Sequence, residues 1–344
     1  MRDVGNPHFA ELRRRLNHIS VVHLSPTPLV GAPSRLAAAQ RNAGLRAECI
    51  VIADYPKDLA GKFVDGAIPW FVGDVAVGLA QRVLTNAEII HVHNDLPLDL
   101  ARQFLEMAPD AKWVYQAHSP LREGPLFNRR DLELPFVFSA KLVVAQYQTR
   151  LYSDFLPVPN LINAFPYCAE RAAGETLRVL FSPTHGRGGR WNDKGSAVTL
   201  ETLRTLAKAG SIDLVTPSNP LSPSQLMALR RSTHVSIDEV ITGAFHLTSL
   251  EGLCAGNVVL NGADFFSVMA LMSSIGTNEP PPFRRVGQHD LRENLLELAS
   301  DQKLSASLQC SSKEYFERWL LSSRLVERYL SIYQSLLDEN NDLA

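Results

Sequence analysis

The strongest constraint on this chain is a rhythm. Short β-branched runs alternate with helix-length stretches, and the alternation occurs twice, with a Pro- and Asn-rich break between the two series. Residues 19–24 form the first run, Ile-Ser-Val-Val-His-Leu. A Pro/Gly-rich loop over 25–33 follows, then a helical stretch over 34–43 closed by Gly44, then a second run over 48–53. Strand, loop, helix and strand in that order predict a parallel sheet, because the crossover helix returns the chain to the same end of the sheet. The pattern recurs with runs at 88–93, 112–116 and 141–145 and a helix over 98–107. Residues 156–166, Leu-Pro-Val-Pro-Asn-Leu-Ile-Asn-Ala-Phe-Pro, read as an interdomain linker. The second series has runs at 177–181, 212–216, 234–237 and 257–260, with helices over 196–209, 224–231 and 247–255; the last third is helical and ends with 313–337. The expectation is an α/β protein of two Rossmann-like doubly wound domains facing across a cleft. Residues 1–160 would form the N-terminal domain and 167–312 the C-terminal one, with 313–344 a helix packing back on the first. In such sheets ligands bind beyond the carboxyl ends of the strands, which places the site in the cleft.

Composition removes several other classes. Length 344 suits two domains. Lys and Arg number 34 against 36 Asp and Glu, so no basic field points to nucleic acid. No apolar run approaches the roughly 18 residues of a membrane helix. The opening stretch MRDVGNPHFAELRRRL has no apolar core of a secretory signal, so a cytoplasmic location is expected. Cys49, Cys168, Cys254 and Cys310 contain no C-x-x-C pair, which offers neither a zinc knuckle nor a redox dithiol.

Several motifs carry chemistry. Glu251-Gly-Leu-Cys-Ala-Gly256 sets a carboxylate on a helix of small residues that stops at a glycine, just before a strand. A tight helix-to-strand turn explains Gly256 but not a carboxylate flanked by Leu250 and Leu253. A carboxylate suits a vicinal diol because it accepts two hydrogen bonds. Residues 182–195, Ser-Pro-Thr-His-Gly-Arg-Gly-Gly-Arg-Trp-Asn-Asp-Lys-Gly, gather Arg187, Arg190 and Lys194 in the loop after the first strand of the second series. His118 follows a strand's carboxyl end in Val114-Tyr-Gln-Ala-His118, and Gly31 lies in the loop after the first strand. His91 and His93 share a strand face. They mimic a metal pair, but strand-end packing is the favoured reading, with His93 nearer the cleft and Asn94 beside it.

In their order, these residues resemble family 4 glycosyltransferases of the GT-B fold. The resemblance implies that Glu251 binds the ribose of a nucleoside diphosphate sugar, and that Lys194 pairs with Arg190 or Arg187 on the donor diphosphate. It implies that His118 lies beside the donor sugar and that Gly31 approaches donor phosphate or acceptor. The family usually has a second Glu eight positions before Glu251, where this chain has Gly243. Residues 241–251 are thus similar to a subset lacking the first Glu, with Asp238 and Phe245 filling characteristic places. The loop of Gly243, Ala244, Phe245 and His246 is expected to offer backbone N–H groups to sugar or phosphate. His93 and Asn94 are acceptor-side candidates.

The implied reaction transfers a sugar to a hydroxyl of a glycan or lipid-linked acceptor, with retention and without a metal or other cofactor, in bacterial surface glycan synthesis. No D-x-D clamp, Walker A, G-x-G-x-x-G or G-x-S-x-G signature is present. Arg13-Arg-Arg15 suggests a peripheral membrane contact, although a solvated helix face is the commoner origin of such a run. Two other readings stand beside this one: a nucleotide-sugar epimerase of the same fold, and a catalytically silent sugar-nucleotide-binding protein, for which Gly243 is the best support.

Overall fold

A computed structural model of the chain describes residues 7–54, 66–71, 73–118, 130–183, 196–219 and 221–338. Helix α1 (Pro7–Leu16) leads into β1 (Ser20–Ser25), then α2 (Ala32–Asn42) and β2 (Arg46–Val51). The short β3 (Ile68–Pro69), α3 (Asp74–Thr85), β4 (Ile89–His93), α4 (Leu98–Met107) and β5 (Lys112–Ala117) follow. A single turn α5 (Arg130–Glu133), β6 (Phe138–Val144) and β7 (Leu156–Val158) complete the first half. Its strands lie in the order β3-β2-β1-β4-β5-β6-β7, and every pairing is parallel. The chain runs outward from β1 to β3 and then returns to β1's other edge, so the topological switch point lies between β1 and β4.

The second half contains β8 (Leu177–Phe181), α6 (Ser196–Lys208), β9 (Ile212–Val215), α7 (Pro223–Arg231) and β10 (Val235–Ile237). After these come α8 (Leu247–Cys254), β11 (Val258–Asn261), α9 (Phe265–Ile275), β12 (Arg284–Arg285) and α10 (Leu291–Ser300), and then α11 (Gln302–Tyr315) and α12 (Ser322–Asp338). The sheet order is β12-β11-β10-β8-β9, again parallel, with its switch point between β8 and β10.

Local chemistry accounts for the key boundaries. Ser222 and Gln225 form a reciprocal capping box at the start of α7, with proline in its first turn. Asp264 caps α9 by accepting from the Ser267 N–H. Helix α8 lies so close to its sheet that a Cβ at Gly252 would stand 2.8 Å from Val259 Cγ2. Gly256 turns the chain at φ 65°, and a side chain there would run into the Tyr167 carbonyl.

Two expectations change. Residues 156–158, read as linker, form β7; a Pro-bearing segment pairs here because β7 is the sheet's edge, where a missing N–H costs no ladder bond. The single closing helix is divided. α11 ends at Tyr315, a π-helical turn spans Phe316–Leu320, and extended Leu321 bridges Ile162. At this point the chain crosses from the second sheet's side to the first: α11 packs on α8, and α12 on α1, α2 and β6. Val326, Tyr329, Leu330 and Tyr333 of α12 are buried, and one apolar cluster runs from α1 and α2 through α12 to α8. No helix among the described residues is long and apolar enough to cross a membrane.

Candidate active site

Strands β1 and β4 flank the switch point of the first sheet, and His23 pairs in register with His91. His93 follows two positions later on the same face. All three are fully buried, under Gln40 of α2 and Tyr329 and Tyr333 of α12. His23 Nε2 lies 2.8 Å from Gln40 Oε1, and its Nδ1 lies 2.9 Å from His93 Nε2. His93 Nδ1 is 2.7 Å from Nε2 of His118, which stands just past β5. Asn94, at φ 62°, turns the chain after β4 and accepts the His118 backbone N–H at 2.6 Å. The structure therefore joins His93, Asn94 and His118 in one cluster at the sheet's carboxyl end.

Burial holds these rings neutral. It lowers the pKa of His23 to about 4 and that of His118 to about 3, and takes His91 and His93 well below the usual imidazole value. One nitrogen from each of His23, His91 and His93 lies within 4.8 Å of the others. Two ligands on a tetrahedral ion at about 2.0–2.1 Å would sit roughly 3.3 Å apart. The His23–His93 pair, at 2.9 Å, has hydrogen-bond spacing instead.

Gly31 ends a left-handed run with φ of 46° at Leu29, 56° at Val30 and 79° at Gly31. Among the described residues a Cβ there would meet only Ser34 Oγ and Arg35 Nε at 3.7 Å, so there glycine supplies conformation and not room. Four residues on, Arg35 reaches across to the second half of the chain. Its Nη2 donates to Glu251 Oε1 at 3.0 Å, while Arg230 Nε donates to Oε2 at 3.2 Å. Arg230 also donates to Ser236 Oγ. Glu251 and Arg230 are both buried. The Gly31 turn and Glu251, distant in sequence, thus meet through Arg35, and Glu251 is held between two guanidinium groups. A second cross-link joins Arg150, after β6, to both carboxylate oxygens of Asp264 at 2.5 Å.

The loop after β10 departs from expectation. Of the N–H groups of 243–246, expected to face a ligand, those of Ala244 and His246 are engaged within the loop: Glu239 accepts from Ile241 N, Thr242 N, Thr242 Oγ1 and Ala244 N. Asp238 accepts from His246 N, His246 Nδ1 and Ser249 Oγ. Two buried carboxylates must satisfy their charge locally, and these do so by folding the loop around themselves. The Phe245 ring is wholly buried, 5.3 Å from Phe283, which makes it a core side chain and not a ligand-facing one. Gly243 adopts φ 77°, and a Cβ there would stand 2.8 Å from Asp264 Oδ2. A side chain at this position would press on the Asp264 carboxylate from a left-handed φ.

Lys194, Arg190 and Arg187 lie outside the described residues. On α1, Arg14 pairs with Glu11, and Arg15 with Asp338 at 2.9 Å. Leu12 and Leu16 of the same helix are buried in the core. Sequence reasoning missed Arg35, Arg230, Glu239, His23, Gln40, Tyr329 and Tyr333. Only Arg35 and Glu239 carried a local signal, as charges beside a glycine turn and beside Asp238.

The assembled fold resembles solved GT-B structures. A glycosyltransferase from Rickettsia africae ESF-5 superposes with a TM-score of 0.56 at 11% identity, over 93% of this chain and 99% of that one. Sucrose-phosphate synthase from Thermosynechococcus elongatus gives 0.57 at 12% identity, over 93% and 100%. A TarM mutant from S. aureus, in complex with fondaparinux, α-GlcNAc-glycerol and UDP, gives 0.51 at 9% identity, over 75% of this chain and 59% of that one. At such identities the likeness concerns architecture: two Rossmann-like domains in the GT-B arrangement. No protein-family profile matches the chain, and no curated protein matches it in sequence.

Proposed function

We propose that the protein is a family-4-like glycosyltransferase that moves a sugar from a nucleoside diphosphate sugar to a hydroxyl of a glycan or lipid-linked acceptor. The observation that carries this reading is the meeting of the Gly31 turn and Glu251 through Arg35 within a GT-B fold. For Glu251 to accept a ribose diol, Arg35 releases Oε1 while the buried Arg230 keeps Oε2. A leaving diphosphate gains negative charge as the glycosidic bond breaks, and Lys194 with Arg190 or Arg187 would stabilise it in place of a metal. His118 and Asn94 would face the sugar and acceptor. Retention of configuration and a role in surface glycan synthesis follow the resemblance. UDP and α-GlcNAc-glycerol, held by TarM, are the kinds of molecule this reading expects.

The test is a thermal-shift panel of nucleoside diphosphates and their sugars, followed by nucleotide release with candidate acceptors in EDTA. A ligand bound only by the folded state raises its stability. Stabilisation by one nucleotide series with chelator-resistant turnover supports the reading; no stabilisation by any member rejects it.

One set of observations favours a second reading, a silent sugar-nucleotide-binding protein. Gly243 stands where the resemblance expects a glutamate, and a side chain there would press on the Asp264 carboxylate; Glu239 and Asp238 occupy loop N–H groups that would otherwise meet a donor. Binding without turnover over the whole acceptor panel would select it.

A further inference from the structure

Arg35 and Arg230 hold more hydrogen-bonding capacity than their surroundings use. A guanidinium only donates, so every nitrogen it buries needs an acceptor. Arg35 spends Nη2 on Glu251 Oε1 at 3.0 Å, and its Nη1 is buried without a partner. Arg230 spends Nε on Glu251 Oε2 and Nη1 on Ser236 Oγ, each at 3.2 Å, and its Nη2 is likewise buried and unpaired. Neither arginine pairs with a second acidic side chain among the described residues, so two cations share one carboxylate and the cluster keeps an excess of positive charge. A buried charged donor left without an acceptor destabilises a fold, and two of them side by side call for an acceptor that the chain itself does not supply.

The two arginines are held differently. Arg230, near the end of α7, is fixed on two sides by Glu251 and Ser236, and its side chain is 1% exposed. Arg35 stands in the first turn of α2, just after the Gly31 turn, and its side chain is 14% exposed. It comes from the other half of the chain, its guanidinium is tied to Glu251 by one bond, and it has a donor to spare. Helix α2 follows β1, and α8 follows β10. Arg35 and Glu251 therefore both stand at the carboxyl ends of parallel strands, where such sheets take their ligands. Arg35 is the member of the cluster that is free to move.

We propose that Arg35 is a donor-binding residue parked on Glu251, and that a nucleoside diphosphate makes it change partners: the ribose diol takes Oε1, and the freed guanidinium turns to the diphosphate. This exchange rests on the reading of Glu251 as the ribose carboxylate. The diphosphate is joined through C5′ to the same ribose, so an arginine that starts beside the diol has phosphate oxygens within the sweep of its side chain. Arg35 leaves one anion for another, and its planar fork can donate to a phosphate from two nitrogens, the unpaired Nη1 included. Arg230 stays on Oε2, so Glu251 always keeps a cation. The competition for Oε1 also selects the ligand. A nucleoside displaces Arg35 and offers it nothing, whereas a nucleoside diphosphate gives the displaced guanidinium a new partner.

The test is calorimetric titration of the full chain in EDTA with inorganic pyrophosphate, and with each nucleoside and nucleoside diphosphate of the panel, on wild type and Arg35→Met. Losing a charged hydrogen bond should weaken pyrophosphate roughly tenfold or more in the variant. A nucleoside should bind the variant as tightly as the wild type or tighter, because Oε1 is no longer contested. The preference for diphosphate over nucleoside should therefore fall by roughly the factor lost for pyrophosphate. An Arg35 that only joins the two halves would move both ligands equally or neither. Either result overturns the exchange, as does a wild type that binds no pyrophosphate. Arg35→Lys, which keeps the charge without the fork, should lie between the two proteins. Melting without ligand shows whether each variant is folded. If Arg35→Met does not fold, the wild type decides in ¹⁵N spectra of arginine-labelled protein. Saturating pyrophosphate should shift the Arg35 side-chain N–H signals, identified by their loss in Arg35→Lys, and leave those of Arg230 in place; unmoved Arg35 signals overturn the exchange. If pyrophosphate binds through Arg35 but no nucleotide binds, the functional reading fails while the anion site stands. If nucleotides bind with no regard to Arg35, the functional reading stands and the exchange is wrong.

Discussion

Glu251→Gln conserves volume and a hydrogen-bonding group, so by shape alone it should be tolerated. The two guanidinium groups reverse that expectation. A glutamine can accept from one arginine but turns its own N–H toward the other. Arg35 is 14% exposed at its side chain and can swing to water, whereas Arg230 is 1% exposed and cannot. Arg230 Nη2 already lacks a partner, and Ser236 is a neutral acceptor. Removing one partner of a buried ion pair typically costs about 3–5 kcal/mol. With an unfolding entropy of about 2.1 cal/mol/K per residue, a chain this long loses roughly 4–7 °C in Tm if it unfolds as one unit. Scanning calorimetry measures the shift directly. Glu251→Leu combined with Arg230→Met should recover most of the loss, because an apolar replacement of the whole pair leaves no buried charge. Arg35→Met alone should cost less than Glu251→Gln, since Arg230 keeps its carboxylate. A Glu251→Gln protein melting within about 1 °C of wild type would refute the compensation of Arg230 by Glu251.

Acid should weaken the fold in a defined window. A histidine whose pKa is lowered in the folded state binds its proton on unfolding, so its contribution is complete above about pH 6.5 and is lost as pH falls toward about 4 for His23 and about 3 for His118. Each ring adds a slope of up to about 1.4 kcal/mol per pH unit, measurable as the denaturant midpoint against pH; a flat profile from pH 6.5 to 4.5 would count against buried neutral rings. Gly243→Glu should lower stability by about 1–3 kcal/mol through its left-handed φ and the clash with Asp264, and Gly243→Ala should show much of the same loss. A neutral Gly243→Ala in calorimetry would contradict that geometry. For the proposed reaction, Lys194→Ala should slow transfer at least tenfold, about 1.4 kcal/mol, while EDTA leaves the wild type active; abolition by chelator would reject metal-free transfer.

The two parallel sheets were legible in the sequence because their buried strands are continuous β-branched runs between helix-length stretches. The edge strand β7 was not, since Pro157 reads as a breaker unless the position of the strand in the sheet is known. Glu251 and Gly31 stood out one by one, but nothing in sequence separation announces that Arg35 joins them. Arg230, near the end of an ordinary amphipathic helix, looks like a solvated charge until β10 and α8 close over it. His91 and His93 show strand alternation. Their connection to His23, Gln40 and Tyr333 depends on the strand order at the switch point and on a helix residue 242 positions from His91. Pairwise contacts across the fold are what a single sequence hides most completely, and the site consists largely of them.

The crossing of α12 onto the first sheet has a consequence for biosynthesis. β7 ends at Val158, but the helix that covers His91 and Gln40 begins only at Ser322. At about 5–20 residues per second, the ribosome finishes the N-terminal sheet on the order of ten to thirty seconds before its cover exists. During that interval the histidines face water and can take up protons, and an apolar surface over α1, α2 and β6 is open. The nascent N-terminal half is therefore a natural client for a chaperone, and its last folding step is the expulsion of water and protons as Tyr329 and Tyr333 dock.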